Sequence, residues 1–159
     1  MNADALFRRK LSKCLIYTMM KRNFQDDLKY GLSRENAVML KLRQHFTDES
    51  IKNTKELYND EYCGWDYESL GGLKWEVKSR RCCLKTYPTT ILPVHKGEWG
   101  GNKDLYFCFN FVDGLYYIPY DATLFNTFST RMMKIERAGK YDPPTLHYEI
   151  PISLLAVIQ

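Results

Sequence analysis

Hydrophobic and polar positions along this 159-residue chain change period several times, and each change marks an element. Leu6, Leu11, Leu15, Ile16 and Met19 recur at roughly helical spacing and predict a helix over 4–21. Residues 24–32 are mixed, and Gly31 breaks a simple continuation. Ser33 is then a suitable N-cap and Glu35 an acidic first-turn residue for a helix over 34–46. In that helix Val38, Leu42 and Phe46 share one stripe, flanked by Met39. Glu35 stands three residues before Val38, so its carboxylate lies at the end of the apolar stripe.

The period then falls to two. Residues 51–58 are ambiguous and hold at most a first short strand, and 65–67 suits a short strand. After the turn at Gly71-Gly72, residues 73–80 alternate cleanly. Leu73, Trp75 and Val77 take one face, and Lys74, Glu76, Lys78 and Arg80 take the other. Residues 105–112 and 115–119 flank Asp113-Gly114, the strongest hairpin signal in the chain. Residues 121–128 and 130–138 read as helices, 148–152 as a closing extended segment and 154–158 as an apolar terminal turn. Helices before and after the strands, with no repeat, linker or domain boundary, predict a single domain over 1–159. Its class is α/β, with a mixed central β-sheet flanked by helices and a basic helical extension over 1–22.

Composition narrows the function classes. Hydrophobic residues make up 45% of the chain, enough for a packed core, and no apolar run approaches the roughly 18 residues needed to cross a bilayer. The N-terminus lacks the order of a signal peptide. Cys14, Cys63, Cys82, Cys83 and Cys108 form no CxxC pair, and His45, His95 and His147 show no ligand spacing beside them. A disulfide framework and a structural zinc site are therefore set aside, and a reducing intracellular compartment is the simpler reading. The glycine-rich phosphate-binding loops and the nucleophile elbow are absent too. The net charge of +4 is concentrated at the front, where Arg8, Arg9, Lys10, Lys13, Lys21 and Arg22 face Asp4 alone. Such a segment tracks phosphates or forms a solvated helix face.

Four groups carry candidate chemistry: Glu35, Asp66, Glu76 and Lys78. Glu76 and Lys78 leave the same face of one strand. Asp66, ten residues upstream of Glu76, ends a neighbouring strand that antiparallel pairing across Gly71-Gly72 brings alongside. Two close carboxylates with oxygen donors only suit Mg²⁺, which keeps waters and is held by one or two carboxylates plus substrate phosphate. A lysine beside them orients an attacking water or stabilises a developing oxyanion. The competing interpretation is a solvent-exposed strand face with a cross-strand ion pair.

The neighbourhood Trp65-Asp66-Tyr67-Glu68, Trp75-Glu76-Val77-Lys78-Ser79-Arg80 and Tyr87-Pro88-Thr89-Thr90-Ile91 resembles the PD-(D/E)XK nuclease superfamily. It is most similar to the small nuclease-like and Holliday-junction-resolvase-like members of phages and large DNA viruses. The resemblance spans about residues 31–120, with Ile150-Pro151-Ile152 as a family-style end. It implies a restriction-endonuclease-like sheet and a Mg²⁺- or Mn²⁺-dependent endonuclease acting on DNA, with RNA as a further candidate. The metal ligands it implies are Asp66 and Glu76 with the Val77 carbonyl; Lys78 is the catalytic lysine and Glu35 a first-helix acid reaching the metal through water. It also implies a homodimer and a viral setting in a virion or infected cell, while the short apolar runs predict no membrane partner. Lys96 matches a further lysine after the motif strand in similar viral sequences. No proline precedes Asp66, and Asp60 is the second choice of aspartate should the strand register differ.

Arg80, Arg81 and Lys85, with Lys96, form a basic set for phosphates beside the acidic ligands. Trp65 and Trp75 read as core rather than stacking platforms, the three histidines as structural or surface residues, and 106–111 as a buried strand or dimer surface. The alternative to a nuclease is a non-catalytic nucleic-acid-binding or structural virion dimer on the same fold. A third possibility is an interaction protein whose resemblance is accidental.

Overall fold

The computed structural model describes residues 23–60, 63–98, 104–134, 136 and 138–159. The helix expected over 4–21 and the basic extension over 1–22 lie outside the described residues. Two helices, α1 (Phe24–Leu32) and α2 (Glu35–Phe46), precede β1 (Lys52–Asn53), α3 (Thr54–Tyr58), β2 (Tyr67–Glu68) and β3 (Lys74–Ser79). The chain continues through β4 (Thr89–Pro93), α4 (Val94–Glu98), β5 (Leu105–Phe111), β6 (Gly114–Pro119), α5 (Ala122–Phe125), β7 (Thr130–Met133), β8 (Thr145–Pro151) and β9 (Ala156–Ile158).

The alternating stretch at 73–80 becomes β3, inside a six-stranded sheet of order β1-β2-β3-β5-β6-β9. β3 pairs antiparallel with β2, Tyr67 opposite Trp75, and parallel with β5, Glu76 opposite Phe107. The remaining neighbours in this sheet are antiparallel, so the sheet is mixed as the sequence predicts. One face packs on α2: Val38 and Leu42 meet Ile51, Tyr67, Trp75, Cys108, Leu115 and Ile158. Each fully buried Leu, Ile or Phe of this kind stabilises the fold by about 1.5–3 kcal/mol.

The other face is where expectation and structure part. It is covered by a second, three-stranded antiparallel sheet of order β4-β8-β7, not by helices. Leu92, Tyr148 and Ile150 from that sheet pack with Leu105, Phe107, Phe109 and Phe111 of β5 and with Phe125. The helix expected over 130–138 is strand β7 up to Met133, because β8 supplies its backbone partners. The helix over 121–128 shrinks to α5, whose first turn is capped by Asp121 Oδ1 accepting from the Leu124 N–H at 2.9 Å. Among the described residues, α4 and α5 are too short to cover a sheet face, and paired strands cover it in their place.

Smaller expectations shift for local reasons. Gly31 does not end α1, and Ser33 does not cap α2. Ser33 has helical backbone angles and its Oγ donates back to the Tyr30 carbonyl at 2.9 Å, while Arg34 stands at the N-cap of α2 without a side-chain cap. The apolar end of the chain is strand β9 on the sheet edge rather than a turn. In the β5–β6 hairpin, Phe111 pairs with Gly114, so Val112 and Asp113 form the turn. A Cβ at Gly114 would stand 2.8 Å from Tyr116 Cε2, so a side chain there would have to displace that ring.

Candidate active site

β2 begins one residue too late to pair with all of β3. The Asp66 N–H donates to the Trp75 carbonyl at 2.9 Å, and the next amide along that edge, that of Val77, donates to the Asp66 side chain at Oδ2, 2.7 Å away. The carboxylate thus takes over where the backbone ladder stops, which fixes its position on the strand edge. Buried Thr54 holds the same segment from behind. Its N–H donates to the Asp66 carbonyl at 3.0 Å, and its Oγ1 donates to the Trp65 carbonyl at 2.6 Å. N–H and C=O of one strand residue leave by the same edge, so the Val77 carbonyl is directed toward the Asp66 side. Asp60, the other aspartate considered, is exposed in the loop after α3.

Strand alternation puts Glu76 and Lys78 on the opposite face from Trp75 and Val77, beside Phe107 and Phe109 between the two sheets. Glu76 is only 3% exposed, which excludes a solvated strand face. Its Oε1 accepts from Lys78 Nζ at 2.5 Å and from Lys96 Nζ at 2.8 Å. Lys96 arrives on α4, directly after β4. Gly97 lets that helix lie against a ring: a Cβ there would stand 3.0 Å from Tyr120 Cε2. Period-two patterning cannot place Lys96, since its neighbour in space is twenty residues away in sequence.

The electrostatics separate the two carboxylates. Burial pushes Asp66 up to about 6, and the charge of Glu76 adds to that, against the pull of Lys78, the Val77 N–H and Lys96. Burial also works to raise Glu76, but Lys78 and Lys96 outweigh it and hold this carboxyl below its usual value. One acid is therefore firmly ionised while its neighbour titrates near neutrality. Paired acids with divided roles in catalytic sites have this pattern, and so do some structural ion-pair networks.

Other predicted residues have different surroundings. Glu35 sits in the first turn of α2, where its Oε1 meets Lys55 Nζ at 3.3 Å and its carbonyl accepts from the buried Tyr67 hydroxyl at 2.9 Å. Burial, then the charges of Glu35 and Asp66, raise the Tyr67 phenol, so this hydroxyl stays protonated. The sequence reading missed Tyr67. Arg80 donates to Thr90 Oγ1 at 3.2 Å and to the Ile91 carbonyl, tying β3 to β4 across the sheets. Arg81 pairs with Asp27 at 3.1 Å and lies over the Tyr30 ring, and Lys85 is exposed. Trp75 is fully buried, Trp65 partly so beneath Lys74, and His147 is buried with Nδ1 2.8 Å from the Thr145 carbonyl.

Among the described residues, no three His, Cys, Asp or Glu side chains are gathered as a metal-binding group. The oxygen donors gathered at this place are the carboxylates of Asp66 and Glu76, with the Val77 carbonyl directed to the same side. Such a set does not suit structural zinc, but it fits a hard cation that keeps most of its waters. The burial of Asp66, only partly offset by Lys78, the Val77 N–H and Lys96, is what a cation would relieve. No protein-family model, curated protein or solved structure matches this chain.

Proposed function

We propose that the chain is a divalent-metal-dependent nuclease of the PD-(D/E)XK type, with a restriction-endonuclease-like core and DNA as its substrate. The observation that carries this reading is the convergence of Asp66, Glu76, Lys78 and Lys96 just before β2 begins, where β3 runs on past it. Asp66 and Glu76, with the Val77 carbonyl, would hold Mg²⁺ or Mn²⁺. When bound, the ion polarises the phosphate and acidifies a water. Lys78 keeps its ammonium on the same strand face as Glu76, where it orients the attacking oxygen and stabilises charge developing on the phosphate. Tyr67 and Thr54 hold the Asp66 segment in register. Glu35 and exposed Lys85 serve as outlying acid and phosphate contacts, and a homodimer is the assembly this reading favours.

Purified protein should cleave branched or duplex DNA with Mg²⁺ or Mn²⁺. Glu76→Gln and Lys78→Ala should each lower the rate at least about a hundredfold while the thermal melt stays cooperative. Undiminished cleavage by both variants would remove the mechanism. A second reading, a non-catalytic nucleic-acid-binding dimer, draws on the two ammonium groups that already satisfy Glu76. Salt-sensitive DNA binding that is indifferent to chelator, with no cleavage, would favour it.

A further inference from the structure

We propose that Lys96 is a resident competitor for the cation: its ammonium holds Glu76 Oε1 while the site is unloaded and must leave before a divalent ion can bind that oxygen. This regulation rests on the nuclease reading above. Both ammonium groups converge on the same atom, Glu76 Oε1, at 2.5 Å from Lys78 and 2.8 Å from Lys96. A carboxylate oxygen offers two lone-pair directions, and two N–H donors occupy them. A direct bond from a cation to this oxygen therefore requires one donor to withdraw.

Charge leads to the same conclusion. Two ammonium groups already balance two carboxylates, one of them 3% exposed. Adding a doubly charged ion with both lysines in place would leave an excess of two positive charges between the sheets, where screening by water is weak. Lys78 is anchored two residues from Glu76 on the same strand and remains in the site whichever partner it has. Lys96 belongs to a separate element, α4, seated against Tyr120 through Gly97. Its flexible four-carbon stem can carry the ammonium off Glu76 without moving the strand. Once released, that ammonium can pair with a phosphate of the substrate. Cation loading and polyanion binding then reinforce one another through a single side chain.

The test is calorimetric titration of Mn²⁺ into metal-free full-length protein without nucleic acid, comparing wild type, Lys96→Met and Lys96→Arg. Lys96→Met should bind Mn²⁺ about tenfold more tightly, the gain from removing one charge-assisted hydrogen bond from the ligand oxygen. Lys96→Arg keeps the charge and should stay within about threefold of wild type. Should Lys96→Met fail to melt cooperatively, Lys96→Gln takes its place with the same expectation. Equal or weaker binding by the neutral variant, with wild type binding normally, overturns the competition but leaves the nuclease reading intact. Equal tightening in Lys96→Arg would mean that a loosened α4, not the lost charge, is responsible, and also overturns it. No Mn²⁺ binding by any form at millimolar concentration overturns the nuclease reading, and this inference with it.

Discussion

Replacing Asp66 with Asn tests whether this carboxylate is held against its own stability. The side chain is fixed by the Val77 N–H on the strand edge, and its pKa of about 6 compares with 3.8 for an unburied aspartate. That difference corresponds to about 3 kcal/mol favouring the neutral form in the folded state. The sign follows from linkage: between those two values the folded protein binds more protons than the unfolded chain. The stabilisation is therefore fully present below about pH 3.8 and is lost as pH rises through about 6. Asparagine mimics the protonated acid and keeps an oxygen for the Val77 N–H. Asp66→Asn should match wild type near pH 4 and exceed it at pH 7 by about 1–3 kcal/mol, the upper figure being a ceiling because Asp66 keeps some contact with water. The assay is urea unfolding followed by tryptophan fluorescence at several pH values with chelator present. Saturating Mg²⁺ at pH 7 should then stabilise wild type, by about 2.7 kcal/mol at a hundredfold excess over Kd, and leave the variant unmoved. A difference between the two proteins that is flat with pH, or a variant less stable at pH 7, would refute the reasoning.

Two other substitutions probe the frame around the site. Arg80→Ala should cost about 1–3 kcal/mol in urea melts, since it leaves Thr90 and the Ile91 carbonyl without their guanidinium partner. Its effect on DNA affinity should be smaller than that of Lys85→Ala, because Arg80 is bound between the sheets and Lys85 is exposed; filter binding at fixed salt decides between them. Leu42→Ala, at a fully buried position of α2 packed on the large sheet, should destabilise by about 2–5 kcal/mol with little effect on cleavage at low temperature.

The placement of the candidate side chains was legible in the sequence where it depends on near neighbours. Glu76 and Lys78 share a face because strand side chains alternate, and Asp66 comes alongside because a short glycine turn leaves β2 and β3 only an antiparallel pairing. The same reading put Arg80 with the phosphate contacts, since a basic residue at the end of a motif strand has the same pattern whether it faces solvent or a neighbouring strand. Ser33 was misassigned for a related reason: a serine oxygen serves the helix behind it or the one ahead, and only the backbone angles choose.

By itself, the sequence determined the alternation of β3, the β5–β6 hairpin, the stripe of α2 and the proximity of the two carboxylates. All of these follow from the sterics and turn chemistry of residues close together along the chain. Tertiary structure decided the rest: that β3 runs parallel to β5, that residues 130–133 are a strand, that a second sheet rather than helices covers Phe107 and Phe109, and that Lys96 reaches Glu76. Those outcomes depend on which distant surfaces lose their water together. A stretch such as 130–133 takes the form its hydrogen-bonding partner allows, and the charge of Glu76 acquires its meaning only once the sheets close over it.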